Sequence, residues 1–413
     1  MFYKGRLEEM MNVFKSKVIK RFRQWNAEIE ASPDKKTTID MGHCWEDLFF
    51  DNIAHVSLGH DIIEEGATLD FDIRDTTSPW GFVRKHLPIS EGMAEIDAAL
   101  LDEYVFKWMN PMYQLARKVT GKKNFTKYQQ TLANNGQRLN QWVKKIVEDR
   151  RAGKTKSKVE GGHDFLSIFL ESDYFTDSMI ADEILDFWGA ATLTSQFATT
   201  STLVGCFQHP EVLEKIRKEF KVTTQKHTVD FTDLSDDKIE FLGQVLKLET
   251  VNDFEYLTMA INEGMRMESP THGSTTYLMD RDVKVGKLNI RKGDSFFVNM
   301  HAIHKNGNQW QKPYEYIPER FDPSDPISKT PDGKTRIPAS FTPFNGGSRI
   351  CFGKTFAEAS MKILISYFTQ VYDFEFVDPL YKTTWPNGHF GINKHNKIEV
   401  VLTNKKKSAN RTL

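Results

Sequence analysis

Cys351 stands in the stretch PFNGGSRICFG, residues 343–353, with Phe344, Gly347, Arg349 and Gly353 at close spacing around it. A structural disulfide would gain nothing from glycines or an arginine. A thiolate holding the metal of a flat, anionic macrocycle would use all of them. Glycines let backbone N–H groups turn toward the sulfur and let the loop lie flat. An aromatic ring keeps water from the sulfur and strengthens the hydrogen bonds it receives. An arginine near the macrocycle edge can pair with a carboxylate. The chain has only three cysteines, Cys44, Cys206 and Cys351, too few and too scattered for a secreted disulfide framework.

Two further stretches carry charge at telling positions. In NEGMRMESP, Glu263 and Arg266 fall on one face of a helix and can pair. Alone, such a pair is usually a solvated surface contact. IPERF, with Pro318, Glu319, Arg320 and Phe321, follows. An F-x-x-G-x-R-x-C-x-G loop preceded by E-x-x-R and P-E-R-F, in that order, resembles the cytochromes P450, closely from about Ser178 onward and more loosely before it. The resemblance implies that Cys351 is the axial ligand of a haem b iron. Phe344 and Gly353 would shape its loop, and Arg349 would pair with a propionate. It also implies that Glu263, Arg266 and Arg320 form a buried structural triad, which needs all its partners.

The family's long central helix usually carries A-G-x-[DE]-T-[ST]. Counted back from His209-Pro210-Glu211, AATLTS aligns with it, so Thr194 and Ser195 match the hydroxyl pair that manages protons. Ala191 replaces the glycine, and Leu193 replaces the acid that links the hydroxyl to bulk protons. That leaves Gln196 or water for the role, or a chemistry that needs no external protons. The plain alternative for Thr194 is a helix threonine bonding back to a carbonyl.

The elements that would position these residues are mostly helices up to about residue 270. The spacing predicts one in RLNQWVKKIVEDRR and a long buried one over 178–207, with Pro210 opening the next. RRAGKTKSKVEGG is polar and reads as a loop. Leu7, Met10, Met11, Phe14 and Val18 recur at helical spacing with lysines between them. The plainer reading is a helix from the middle of a fold, and the alternative is an amphipathic helix in peripheral contact with a membrane. After about Thr271, VKVGKLNIRKGDSFFVNM alternates as short strands. A long Pro- and Asp-rich irregular segment follows, then a helix from Lys354 to about Val371 and a strand in KIEVVL. The fold class expected is mainly α with a smaller β region, a P450 fold lacking its N-terminal β region and first helices. It would be a single, N-terminally incomplete domain over 1–413.

A net charge of -1 gives no basis for nucleic-acid binding. The sequence holds no apolar run of 18 residues and no signal-peptide core. By resemblance the location is the surface of the endoplasmic-reticulum membrane, and the chain is short at its N-terminus by on the order of a hundred residues. The family's propionate-binding W-x-x-x-R occurs at Trp80 to Arg84, but out of order, and reads as coincidence. Tyr277 stands where an arginine is common, leaving Arg349 to carry the propionate contact.

The reading is a monooxygenase that inserts one oxygen atom from O2 into a hydrophobic small molecule. Phe187, Trp188 and Ala190 would face the pocket. Electrons would come from a separate donor of the NADPH-cytochrome P450 reductase type, since no G-x-G-x-x-G lies in a strand-turn-helix setting. The alternatives are a haem-thiolate hydroperoxide isomerase or peroxygenase, and a non-catalytic P450 fragment.

Overall fold

A computed structural model describes residues 4–75, 81–93, 95–96, 115, 119, 127–227, 237–271, 273–274, 277–378 and 397–405. Trp80, half of the W-x-x-x-R pattern, lies outside the described residues.

Helix α1 (Lys4–Ala31) turns its apolar stripe inward: Leu7, Met10, Met11, Phe14, Val18, Phe22 and Trp25 are all buried. Its apolar face is therefore packed on the protein's own core, while Lys20 and Arg23 on the opposite face are exposed. Strand β1 (Thr37–Asp40) ends in Asp40, whose carboxylate accepts from the Gly42 N–H at 3.1 Å and caps α2 (Met41–Leu58). Strands β2 (Thr68–Arg74) and β3 (Phe82–Pro88) form an antiparallel hairpin. Sequence reading passed over it, although TLDFDIR alternates. Arg84 belongs to this hairpin and donates from Nε to Asp72 Oδ1 at 2.8 Å.

Helix α3 (Lys127–Arg151) ends at the expected polar loop. Its Arg150 spans two neighbours, donating to the Leu58 carbonyl at 2.7 Å and to the buried Asp164 at 2.9 Å. Asp164 in turn caps the short helix α4 (Phe165–Leu170). The central helix α5 (Asp177–Gln208) is 32 residues long, started by the Thr176 hydroxyl accepting from Met179 N–H. Pro210 opens α6 (Pro210–His227), where its missing N–H costs nothing. Helices α7 (Lys238–Val245) and α8 (Leu248–Asn252) lead to α9 (Glu255–Met267), the E-x-x-R helix. It packs close on α5: a Cβ at Gly264 would lie 2.7 Å from Thr202 Oγ1 and 3.1 Å from its Cα. Only a glycine permits that approach.

The β part is small. Strand β4 (Tyr277–Leu278) pairs with β7 (Ser295–Phe296), and β5 (Val283–Val285) with β6 (Leu288–Ile290). After α10 (Met300–His304) the chain runs irregularly to residue 353, with single turns at Pro318–Phe321, Pro326–Ser328, Pro338–Ser340 and Gly347–Arg349. Helix α11 (Lys354–Val371) then enters the interior, buried along most of its length. Strand β8 (Tyr372–Phe376) and β9 (Glu399–Asn404) close an antiparallel sheet in which β9 lies between β8 and β1. Phe22 of α1 meets Tyr372 at 5.3 Å between ring centroids, so this sheet and α1 share one core. The architecture is mainly helical with a smaller β region, as expected.

Candidate functional site

Two features converge on the loop before α11. The first is a buried ionic cluster. Glu263, Arg266 and Arg320 are each 0% exposed. Arg266 grips Glu263 with both ends of its guanidinium, Nε to Oε2 at 2.7 Å and Nη2 to Oε1 at 2.9 Å. Arg320 Nε donates to Glu263 Oε1 at 3.1 Å, and the Ile317 N–H donates to the same oxygen at 2.8 Å. Two guanidinium groups against one carboxylate leave positive charge over. Backbone carbonyls absorb it: Arg266 donates to His304, Pro313 and Glu315, and Arg320 to Gln311, Lys312 and Glu315. The cluster thereby pins the irregular chain between α10 and the P-E-R-F turn. Trp310 lies under the Arg266 guanidinium at 5.1 Å and under that of Arg336 at 4.1 Å. Burial, and next Arg320, holds the pKa of Arg336 down to about 10.

The second feature is the cysteine loop. The Asn345 N–H closes a turn on the Thr342 carbonyl at 3.0 Å, and the Cys351 N–H donates to the Phe344 carbonyl at 2.8 Å. Asn345 and Gly347 both take positive φ, 63° and 65°, which swings the backbone around. Phe344 packs on the core, with Lys354 Nζ 5.9 Å from its ring centre. Gly353 caps α11, and a Cβ there would sit 3.7 Å from the Cys351 sulfur. Cys351 is exposed and free. Cys44 and Cys206 are the contrast: burial pushes both thiols up to about 12.

The central helix faces the loop with a mixed surface. Phe187 touches Phe352 at 5.1 Å between centroids, so α5 and the cysteine loop meet directly. Ala190 is exposed, and Ala191 and Thr194 are half-exposed. Trp188, expected in the pocket, is instead 0% exposed, its Nε1 donating to Ser57 Oγ at 2.7 Å and its ring against Phe50. One helical position separates Phe187 from Trp188, and that 100° step turns the indole to the core. The Thr194 hydroxyl donates back to the Ala190 carbonyl at 2.6 Å, the ordinary helix bond. Ser195 is buried. Gln196, considered as a link to bulk water, is 0% exposed, with Nε2 at 3.5 Å from Thr200 Oγ1. Leu193 is buried too.

Sequence reasoning missed His304. It is fully buried, and its Nε2 accepts from the Thr342 N–H at 3.0 Å. The only signal was its place in HAIHKNGNQW, between the two charged stretches.

With the loop and its braces in place, a sequence model of the family described as Cytochrome P450 matches residues 1–399. The chain belongs to the cytochrome P450 family. Among similar P450s, "Cytochrome P450 family 716 subfamily AD polypeptide 2" of Citrus sinensis is 25% identical over 251 residues, 59% of this chain and 47% of the relative. Human "Cytochrome P450 4F8" is 28% identical over 229 residues, 53% of this chain and 39% of the relative. "Steroid 17-alpha-hydroxylase/17,20 lyase" of Cavia porcellus is 25% identical over 224 residues, again 53% and 39%. The chain thus aligns with half or less of the length of these relatives.

The residues of this P450 fit a haem-thiolate group by their chemistry. Of the three thiols only Cys351 is exposed, and it precedes the positive end of an 18-residue helix, which favours an anionic sulfur ligand. Arg349 is exposed and makes no ion pair among the described residues, so its guanidinium is free to meet a carboxylate.

Proposed function

We propose that this P450 is a haem-thiolate monooxygenase that inserts one oxygen atom from O2 into a hydrophobic small molecule. The observation that carries the reading is the exposed, unpaired Cys351 in a loop closed on Phe344 and braced by a fully buried Glu–Arg–Arg cluster. Cys351 would hold the iron of haem b, and Arg349 would pair with a propionate. When bound, the haem supplies an electron-rich iron that activates oxygen. Phe344 and Gly353 would shape the loop, Gly353 leaving no side chain beside the sulfur. The open face of α5, with Phe187, Ala190 and Ala191, presents apolar surface to a substrate. Thr194 is the hydroxyl on that face that can hold a water for proton transfer, its own proton being engaged by Ala190. Electrons would come from a separate reductase of the NADPH-dependent type. The endoplasmic-reticulum surface is the location implied; no helix of the described residues is long and apolar enough to cross a membrane.

The test is the reduced, carbon-monoxide difference spectrum of the full chain beside Cys351→Ala. A red-shifted Soret band lost in the variant supports the reading. A chain that binds no haem, or a band indifferent to the substitution, overturns it.

A second reading is favoured by a specific observation. Leu193 and Gln196 are both buried, so neither connects Thr194 to bulk water. A haem-thiolate isomerase or peroxygenase acting on a hydroperoxide needs no such connection. Turnover with peroxide, and none with O2 and a reductase, would select it.

A further inference from the structure

We propose that His304 is a positioning residue for Cys351, its side chain tying the buried Glu263 cluster to the backbone that starts the cysteine loop. This rests on the haem-thiolate reading above. The two ends of His304 serve two partners. Its carbonyl accepts from Arg266 Nη1 at 3.0 Å, inside the cluster. Its ring Nε2 accepts from the Thr342 N–H at 3.0 Å. Two further bonds carry the chain from Thr342 to the sulfur: Asn345 N–H to the Thr342 carbonyl, and Cys351 N–H to the Phe344 carbonyl. Pro343 follows Thr342 and offers no N–H, so the Thr342 amide is the last donor before Phe344.

The histidine is suited to this task in chemistry as well as place. An imidazole accepts a hydrogen bond only when neutral. Burial, then Arg266 and His301, hold its pKa down to about 3. With Nε2 as acceptor, Nδ1 carries the proton. The Phe341 ring, 5.2 Å away between centroids, and Trp310 beyond it at 6.3 Å from Phe341 wall in the imidazole. The rotation of the ring is thus set by packing, and its acceptor is aimed at one backbone amide.

Three substitutions separate this role from simple filling of space. His304→Gln can place an acceptor where Nε2 now stands. His304→Asn is as polar but one methylene too short, and His304→Leu fills the volume with no acceptor. Hydrogen exchange of the Thr342 amide is followed in the haem-free full chain. The proportion of thiolate-type to thiol-type carbon-monoxide complex is read in the haem-loaded chain, well below each variant's Tm. In the Leu and Asn variants, Thr342 exchange is expected to quicken roughly 5- to 10-fold, as loss of one hydrogen bond implies. The thiolate-type proportion should fall on the order of 10-fold, as for other residues that support a metal ligand. The Gln variant should stay near wild type in both. If the Leu variant does not fold, Asn against Gln carries the comparison. Unchanged exchange in the acceptor-less variants overturns the proposal. So does quickened exchange with the thiolate band intact, or a Gln variant as impaired as Asn. A wild-type chain without a thiolate band overturns the haem reading and with it the role toward a ligand, while exchange still reports the bond between His304 and Thr342.

Discussion

Glu263 and Arg320 meet with no solvent between them and the core: Arg320 Nε donates to Glu263 Oε1 at 3.1 Å, and both side chains are fully buried. The two residues lie on different elements, the E-x-x-R helix and a single turn that follows the small strands, α10 and irregular chain. Their pairing is therefore what fixes the path of that chain.

Removing Glu263 strands two buried guanidinium groups, and removing Arg320 leaves a cavity and takes the donor from the Gln311, Lys312 and Glu315 carbonyls. Arg320→Ala, or Glu263→Gln, is expected to lower unfolding stability by roughly 3–5 kcal/mol in a denaturant titration. Arg320→Lys should recover little of it, since one ammonium cannot reach Glu263 and the Gln311, Lys312 and Glu315 carbonyls together. An Arg320→Ala chain as stable as wild type would show the cluster to be dispensable.

His304 gives a pH signature. Its folded pKa, about 3, lies below the ordinary 6.5, with burial the first cause and Arg266 the second. A lowered histidine pKa means that the unfolded chain binds the proton more readily. The stabilising contribution is complete above pH 6.5 and is lost as pH falls from 6.5 toward 3. Across that window wild type should lose stability more steeply than His304→Gln by one proton, about 1.4 kcal/mol per pH unit. Parallel stability curves would contradict this.

The thiols should differ sharply in reactivity. Burial pushes Cys44 and Cys206 up to about 12, whereas Cys351 is exposed. Iodoacetamide at pH 8 should modify one cysteine of the folded, haem-free chain, and none in Cys351→Ala. Bound haem should protect it. Modification of Cys206 at a comparable rate would mean that α5 does not pack as described.

Gly264 sets the distance between α9 and α5. A methyl group there meets Thr202 Oγ1 at 2.7 Å and the Thr202 backbone N at 3.2 Å. The hydroxyl could rotate, but the backbone cannot, so Gly264→Ala should cost about 1–3 kcal/mol. Gly286→Ala is a weaker comparison in a β-turn at φ 60°, where the added Cβ has open space and only the backbone is strained.

Thr194→Val distinguishes the two functional readings. It keeps the shape and deletes the hydroxyl that bonds Ala190. Stability should shift by about 1 kcal/mol or less. Under the monooxygenase reading, product formed per O2 consumed should drop; under the hydroperoxide reading, peroxide-supported turnover should not change.

Much of this site could be read from residue order alone. The Cys351 loop is legible because its features are local: a positive-φ turn, a helix start and an exposed cysteine share a few residues, so their types cluster in sequence. Glu263 and Arg266 are legible for the same reason, one helical turn apart. The apolar stripe of α1 marked a face that packs on other parts of the fold, and its burial agrees. The β2–β3 hairpin was not read, because Asp70 and Asp72 on its face look like loop residues until Arg84, His86 and Arg138 are brought beside them.

By itself, then, the sequence determined the family and the partners of the charged cluster, and it singled out the cysteine loop, since each is a short pattern whose chemistry permits few alternatives. Only the tertiary structure decided which way neighbouring side chains point and what they meet. It turned Trp188 into the core while leaving Phe187 on Phe352, and it buried Gln196 away from water. It also set the ring of His304 against the Thr342 amide, 38 residues along the chain. A 100° helical step and a contact across irregular chain depend on packing between distant segments, and no local spacing encodes them.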